Sequence, residues 1–385
     1  MKWVSNFWEK GRFLMGLRFV KYIWVVLGLL ISGCGLKLGL DLQLSKSGKS
    51  IVVATTNYQT GALALLNLPS KKGNLNFSPI YQDAIVKLLP GLGDIFVINR
   101  LGADNLQRVD RISGLTIQQF SFGRGTNPQD IALVGNEIYV SCLNEKHLLK
   151  VQLETGLKTG RIDLSSYADA DGYPEATYLR QLGNSLWVQL QKLDRDHSFY
   201  PTENSQVVIL DTQSDQVQTA LTLKAPNPVS RFKDLGNEYW LLAEAGHLGI
   251  TSQLDGGVEK FDPVQKKSFG FITTEKQLGG DLVDVECFGP ANCVAIISKP
   301  HTELVQFDPQ TGMKVRTLWS SSGYHLRQVV TDVNEKHLYL VDANPESPQI
   351  RVWSWDSLQQ RQDLNWLLKL PPYQMEIMDS FLNET

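Results

Sequence analysis

Cysteine and histidine, the side chains that most often bind transition metals, are scarce in this chain. Its 385 residues include four cysteines and six histidines, and none of them falls in a Cys-x-x-Cys or His-x-x-x-His pattern. This spacing does not favour a zinc site. The sequence also lacks a Gly-x-Ser-x-Gly nucleophile elbow and a glycine-rich phosphate loop. We therefore predict no catalytic residue, no metal and no cofactor.

Runs of positive charge are absent as well. The chain has 37 lysines and arginines against 40 acidic residues, a net charge of −3, and no basic stripe stands out. We therefore do not expect a nucleic-acid partner. The apolar content of 42% is sufficient for a sizeable core, so most of the chain is expected to fold as one large domain.

A continuous apolar run lies near the N-terminus. Ile23–Ile31 follows several basic residues and is far shorter than the roughly 20 residues that a membrane span needs. This arrangement predicts a signal peptide at residues 1–33. Its end, Leu30–Cys34, resembles the lipobox of bacterial lipoproteins, which implies a membrane anchor through lipid on Cys34. The alternative is an ordinary cleaved signal peptide with a chance cysteine.

The lipoprotein resemblance also implies a place in the bacterial cell envelope. Gly35 stands where inner-membrane lipoproteins carry aspartate, which favours the outer membrane. Residues 34–49 are then the lipidated cysteine and a tether. The start codon stays open between Met1 and Met15, because a signal peptide that starts at Met15 would have a more typical length.

A repeat organises the rest of the chain. Within residues 127–164, four short apolar runs are separated by turn-forming residues, as in one four-stranded blade of a β-propeller. A turn also precedes the second strand of every repeat. The second residue of that turn recurs seven times: Ser50, Asp94, Asn136, Asn184, Asn237, Asn292 and Lys336. The period fits a propeller, so we predict an all-β fold, a seven-bladed β-propeller of four-stranded antiparallel blades.

The ends of the repeat region predict how the ring closes. No strand precedes Ser50 that could serve as the inner strand of its blade, whereas Tyr373–Met378 is a spare alternating segment. We predict that this segment pairs with Ile51–Ala54 and removes the open edges of the sheet. The propeller would then span residues 50–378, with a tail at 379–385. The alternative is a frayed C-terminal segment.

Two of the cysteines have a spacing that suits a bridge. Cys287 and Cys293 flank a turn-like loop, where opposed hairpin positions bring the sulfur atoms within bonding reach. The oxidising conditions met by an exported protein favour a disulfide; the alternative is two buried thiols. Cys142 then lacks a partner and is expected to be packed in the core.

Asp-x-Asp pairs occur on two loops, as Asp169 with Asp171 and Asp194 with Asp196. Such pairs can bind calcium, but the distal bidentate glutamate of a calcium loop is missing. We interpret both pairs as solvated turns and predict no metal there.

The repeats resemble a known family. Asp211-Thr212, Asn127-Pro128, Asn227-Pro228 and Tyr139-Val140 occupy the positions that these dipeptides have in the YVTN-type seven-bladed propellers. The resemblance implies the fold and says little about function. In second place, Asp308–Gly312 is similar to the propeller lipoprotein of the outer-membrane protein assembly machine, which has eight blades.

The inner strands of a propeller line its channel, and the mouth of the channel is the default ligand site. The residues that open the inner strands are therefore our candidate ligand-binding residues: Asp130, Glu175, Arg231, Asp284 and Arg327. This ring of mixed charge is suited to a polar ligand or a peptide. The alternative is a solvated rim.

Two functions remain in view. We favour a lipid-anchored, monomeric envelope propeller that acts as a non-catalytic scaffold for a protein or ligand partner. The alternative is a lactonase-like hydrolase that uses the central channel, because lactonases use related scaffolds. The channel positions show no histidine–carboxylate cluster, which such chemistry needs. An exposed aromatic patch on His197–Pro201 would support the scaffold, and a cation in the channel would contradict it.

Overall fold

The structure is a computed structural model that describes residues 48–236, 238–248, 253–288 and 292–379. The predicted signal peptide, Cys34 and the predicted tether up to residue 47 lie outside the described residues, as do residues 380–385 of the predicted tail. The described residues contain no helix that is both long enough and apolar enough to cross a membrane.

The described strands form seven sheets, each of four antiparallel strands. The prediction of an all-β propeller with seven four-stranded blades is therefore confirmed. The number of blades is seven, not the eight of the assembly-machine lipoprotein. Each blade runs from an inner strand beside the channel to an outer strand, and successive blades follow one another along the chain.

The first four blades have the following strands in chain order. Blade 1 contains β1 (Ser50–Thr56), β2 (Gly61–Asn67) and β3 (Lys72–Ile80). Blade 2 contains β4 (Ala84–Leu88), β5 (Ile95–Asn99), β6 (Asn105–Val109) and β7 (Thr116–Ser121). Blade 3 contains β8 (Pro128–Val134), β9 (Glu137–Cys142), β10 (His147–Gln152) and β11 (Lys158–Asp163). Blade 4 contains β12 (Ala176–Leu182), β13 (Ser185–Leu190), β14 (Gln206–Asp211) and β15 (Gln216–Thr222).

The last three blades continue the pattern. Blade 5 contains β16 (Lys233–Gly236), β17 (Tyr239–Glu244), β18 (Gly257–Asp262) and β19 (Lys267–Thr274). Blade 6 contains β20 (Asp281–Cys287), β21 (Cys293–Ser298), β22 (Thr302–Phe307) and β23 (Lys314–Ser320). Blade 7 contains β24 (Leu326–Asp332), β25 (His337–Asp342), β26 (Gln349–Ser354) and β27 (Trp366–Leu367). Short helical turns lie at Ser165–Tyr167, Arg195–His197, Glu275–Leu278 and Gln362–Leu364.

The ring closes through the C-terminal strand. This strand, β28 (Pro372–Met378), pairs antiparallel with β1, from Ser50 opposite Met378 to Ala54 opposite Gln374. It supplies the inner strand of blade 1, which confirms the predicted closure. Lys49 was predicted to belong to the tether. It forms an ion pair with the propeller, since its Nζ lies 2.6 Å from Asp332 Oδ1.

Packing between neighbouring blades provides the core. Among the described residues, seven apolar clusters fill the seven interfaces between blades. In β1, Ile51 and Val53 pack toward blade 7, whereas Val52 and Ala54 pack toward blade 2. Both faces of this strand are buried, so its sequence shows no polar alternation. Burial of each isoleucine or valine contributes about 1.5–3 kcal/mol before the entropy of ordering is counted.

The cysteines occupy two blades. Cys287 and Cys293 are directly opposed on β20 and β21 of blade 6, and a disulfide joins them. Cys142 is a buried free thiol at the end of β9. Burial raises the pKa of this thiol well above its usual value, so it stays protonated and unreactive.

Candidate ligand site at the channel mouth

All inner strands begin at the same end of the channel, where a cavity of about 350 Å³ opens. We call it the mouth cavity, and this end of the propeller the mouth face. Its lining comes mainly from the first residues of the inner strands and includes Ile85, Tyr178, Arg231, Asp284, Arg327 and Tyr373. The loops between the second and third strands reach the same end, and Leu248 of blade 5 joins the lining. The volume suits a small polar group.

Asp130 is a deeply buried charge at this end, with a side chain that is fully inaccessible. Its Oδ2 accepts hydrogen bonds from Lys87 Nζ at 2.9 Å and from the backbone N–H of Leu179 at 3.0 Å. Arg231 Nη2 lies 3.6 Å from Oδ1. The carboxylate is therefore satisfied on both oxygens and does not act as a free base.

Arg231 connects this carboxylate to the closing strand. Its Nη1 donates to Glu376 of β28, and its guanidinium carbon lies 5.6 Å from the centre of the Tyr178 ring. Burial opposes the charge of Arg231, but the carboxylates of Asp130 and Glu376 outweigh burial and raise its pKa. Arg231 thus stays charged and joins β8 and β28, two strands that are far apart in the sequence.

A second ion-pair group lies across the channel. Lys233 Nζ is 3.4 Å from Asp284 Oδ2 and 3.3 Å from Glu286 Oε2, and it donates to the Val329 carbonyl at 3.1 Å. Asp284 Oδ2 also accepts from the Val329 N–H at 2.9 Å. Burial raises the pKa of Glu286 to about 7, against the attraction of Lys233.

The structure places the five candidate residues in different surroundings. Asp130 and Arg231 contact each other, while Asp284 and Arg327 both line the mouth cavity. Arg327 is exposed, and its side chain forms no hydrogen bond or ion pair with any other residue that the structure describes. Glu175 lies elsewhere, under a long loop of blade 4. Its φ of 46° breaks the strand alternation, so its side chain turns away from the channel lining.

The long loop of blade 4, residues 191–205, covers an acidic cluster. Single carboxylate oxygens of Asp169, Asp171 and Glu175 lie within 4.8 Å of one another. Arg195 Nε donates to Glu175 at 2.8 Å, and the Arg195 backbone N–H donates to Asp171 at 2.8 Å. The cluster therefore anchors the loop, and Arg195 supplies part of the positive charge that a cation would bring.

This arrangement corrects the expectation of solvated turns. The Asp171 and Asp194 side chains are only 4% and 3% exposed, because the loop folds over them; Asp196 is exposed as expected. Burial raises the pKa of Glu175 to about 7, and burial together with the neighbouring Asp171 raises that of Asp169 to about 6. The cluster carries less negative charge at neutral pH than its composition suggests.

The same loop presents aromatic side chains to solvent. Phe199 and Tyr200 are 51% and 39% exposed. The Tyr200 ring lies 5.2 Å from that of His247 in the corresponding loop of blade 5, and Gln253 Nε2 donates to the Tyr200 hydroxyl at 2.7 Å. Leu248, 41% exposed, continues the surface to the mouth cavity. We call Phe199, Tyr200 and Leu248 the apolar patch.

Only the first residues of the inner strands were taken as candidates from the sequence. Four charged residues of the channel were therefore missed: Lys87, Lys233, Glu286 and Glu376. A signal was available. Polar residues recur two positions apart in three of these segments, at Arg231 and Lys233, at Asp284 and Glu286, and at Gln374 and Glu376. That spacing puts both side chains of a pair on one face of a strand.

A larger groove, about 830 Å³, lies between blades 7 and 1 beside Gly48, where the described chain begins. Lys49, one of the charged residues in its lining, is already paired with Asp332. The remaining lining mixes apolar residues such as Leu68 and Trp366 with polar ones such as Glu335, His337 and Asp363. Nothing among the described residues shows what covers this groove, so the mouth cavity is the better candidate.

Comparison with known proteins supports the fold. No family model and no curated protein matches the chain. Apo AztD from Citrobacter koseri matches 86% of this chain over 98% of its own, at 13% identity and a TM-score of 0.53. A candidate 6-phosphogluconolactonase from Bacteroides fragilis has the same coverage, with 12% identity and a TM-score of 0.58. Dihydro-heme d1 dehydrogenase NirN matches 85% of this chain over 74% of its own, at 12% identity and a TM-score of 0.56. At these identities the likeness shows the overall fold alone and says nothing about function.

Proposed function

We propose that this chain is a non-catalytic envelope scaffold that binds a protein partner on its mouth face. The apolar patch is the observation that carries the proposal. Large apolar and aromatic side chains that stay exposed in one patch are typical anchors of protein interfaces. The loop is held from below by Arg195, Asp171 and Glu175, so little conformational entropy is lost when a partner docks.

The charges of the channel support a role without catalysis. A hydrolase needs a carboxylate or histidine that is free to accept a proton near the substrate. At the mouth, Asp130, Asp284 and Glu376 are each bound to a lysine or arginine. Histidine is absent from the lining that the structure describes.

The proposed scaffold is a monomer that is tethered to the outer membrane by lipid on Cys34. The lipobox-like segment before Cys34 and the glycine after it support this placement. Labelling of cells with a radioactive fatty acid tests it. We expect label in the wild-type chain and none in Cys34→Ser. Equal label in both would refute the anchor and leave the fold untouched.

Site-specific crosslinking tests the partner. A photoreactive residue replaces Tyr200 on the mouth face, or Val264, which is 68% exposed on a turn of blade 5, as the matched control. We expect one discrete adduct from position 200 in cells, none from position 264, and a weaker adduct in Phe199→Ser. Equal adducts from both positions, or none at all, would contradict the proposal.

The hydrolase alternative has its own test. The purified mature protein is assayed with a simple δ-lactone and analysed for bound metal, with calorimetry in calcium and in EDTA. We expect no turnover above the buffer rate and no thermal shift. Turnover that disappears in Asp284→Asn, or a stoichiometric ion, would replace the scaffold with the hydrolase.

A further inference from the structure

The mouth cavity has hydrogen-bond donors without acceptors. Arg327 is exposed there without a partner among the described residues. The Tyr178 hydroxyl, also in the lining, makes no hydrogen bond within the described part of the chain. Gln328 uses its Oε1 to accept from the Met375 N–H at 2.8 Å, while its Nε2 makes no hydrogen bond to a described residue. Three donor groups in one cavity thus remain unused.

The acceptors of the same region are already taken. Asp130 accepts from Lys87 and Leu179, Asp284 from Lys233 and Val329, and Glu376 from Arg231. Asp83 is held by Arg100, with Nη2 at 2.5 Å from its Oδ1. A ligand that brings donors or positive charge would find no free acceptor among these carboxylates, whereas a ligand that brings acceptors meets free donors.

We infer that the mouth cavity binds a carboxylate of the partner, with Arg327 as its main contact and Tyr178 and Gln328 as additional donors. This inference rests on the proposed function. A guanidinium offers parallel N–H groups that match the two oxygens of a carboxylate. A cavity of about 350 Å³ admits one acidic side chain or a chain terminus, while the apolar patch, which adjoins the cavity through Leu248, receives the neighbouring residues of the partner.

The inference is tested with the full mature protein and short probes in calorimetric titrations. Two probes carry one carboxylate each: acetyl-Gly-Glu-Gly-amide in the side chain and acetyl-Gly-Gly-Gly at the terminus. Acetyl-Gly-Gln-Gly-amide carries none, and inorganic phosphate is the competing anion. Arg124→Gln is the matched control, because Arg124 is an exposed arginine without a described partner and lies outside the cavity lining.

We expect at least one carboxylate probe to bind wild type and Arg124→Gln equally, and to bind more weakly at high salt. Arg327→Gln should weaken this binding about tenfold or more, since a charged hydrogen-bonded pair is lost, and Tyr178→Phe less. The glutamine probe should not bind. The probe that binds more tightly identifies the source of the carboxylate.

Three results would overturn the inference: no binding of any carboxylate, equal loss in Arg124→Gln and Arg327→Gln, or Arg327-dependent binding of phosphate alone. The crosslink from position 200 separates this inference from the proposed function. A wild-type crosslink that persists unchanged in Arg327→Gln would leave the partner in place and refute the carboxylate contact. Absence of any crosslink from position 200 in the otherwise wild-type chain would refute the proposed protein partner itself.

Discussion

Two groups of buried carboxylates in this propeller are stabilised in different ways. In the channel, Asp130 is neutralised by Lys87 and Arg231. In blade 5, the fully buried Glu244 faces Glu259 instead, and no cation pairs with it among the described residues. Its Oε2 accepts from the Ala225 N–H at 2.7 Å, and its Oε1 has no partner. Burial and the second carboxylate raise the pKa of Glu244 well above its usual value.

The comparison shows that a buried acid is tolerated through pairing or through protonation. Pairing leaves fixed charges that organise a site. Protonation makes the local stability depend on pH. The contacts of Asp130 with Arg231 are therefore expected to keep their geometry over a wide pH range, whereas the contact between Glu244 and Glu259 weakens as the pH rises.

The largest effect should come from removal of the shared cation. Arg231→Met leaves Asp130 and Glu376 without their common partner, so we expect a loss of about 3–5 kcal/mol in the free energy of unfolding. Urea denaturation at pH 7 measures it. Arg327→Gln, an exposed residue, is the control and should change stability by less than about 0.5 kcal/mol. A loss below about 1 kcal/mol in Arg231→Met would show that the channel pairs do not hold the inner strands.

The next effect is pH-dependent and concerns Glu244. Its folded-state pKa lies above the unfolded value of about 4.3, so the folded protein binds the proton more tightly. Stability is then unaffected by this group below the unfolded pKa and falls as the pH rises toward the folded pKa. Glu244→Gln should match wild type in melting temperature at pH 4.5 and exceed it by several degrees at pH 8.

Exposed Glu346→Gln is the matched control for Glu244→Gln and should melt like wild type at both pH values. If Glu244→Gln melts below wild type at pH 8, then the carboxylate is ionised and usefully bound in the native state. Blade 5 would in that case resemble the channel, and the difference between the two groups would disappear.

A smaller effect of the same sign is expected at the acidic cluster. The pKa of Asp169 is raised to about 6, so wild type should lose stability between about pH 4 and pH 6. Asp169→Asn should flatten this part of the profile by less than half of the Glu244→Gln difference, because the group is partly hydrated. Differential scanning calorimetry across pH 4–7 measures it, and an unchanged profile would contradict the raised pKa.

The smallest effect should come from an exposed ion pair. Lys336 Nζ lies 3.7 Å from Asp356 Oδ2, with both side chains about two-thirds exposed. Lys336→Gln should change the free energy of unfolding by less than about 0.5 kcal/mol. A larger loss of unfolding free energy in urea denaturation would mean that burial does not determine how much each ion pair stabilises this protein.

The fold could be predicted because its signals are local. A turn before a β-rich run marks each blade, and the spare alternating segment Tyr373–Met378 marks the closure. The candidate site was harder to predict from the sequence. Glu175 precedes β12 and looked like a channel residue, but its left-handed backbone turns the side chain under the loop. The contact between Arg231 and Glu376 joins residues 145 positions apart, and no local pattern predicts such a pair.

The closing strand also determines when the site exists. Tyr373, Gln374 and Glu376 all belong to β28, and the first two line the mouth cavity. They lie C-terminal to every other strand that the structure describes. A chain that stops short of them has an open ring, and it also lacks part of the cavity wall and the second carboxylate of Arg231. Only a chain that includes β28 can therefore display a complete mouth cavity, so closure of the ring and completion of the cavity wall are one event.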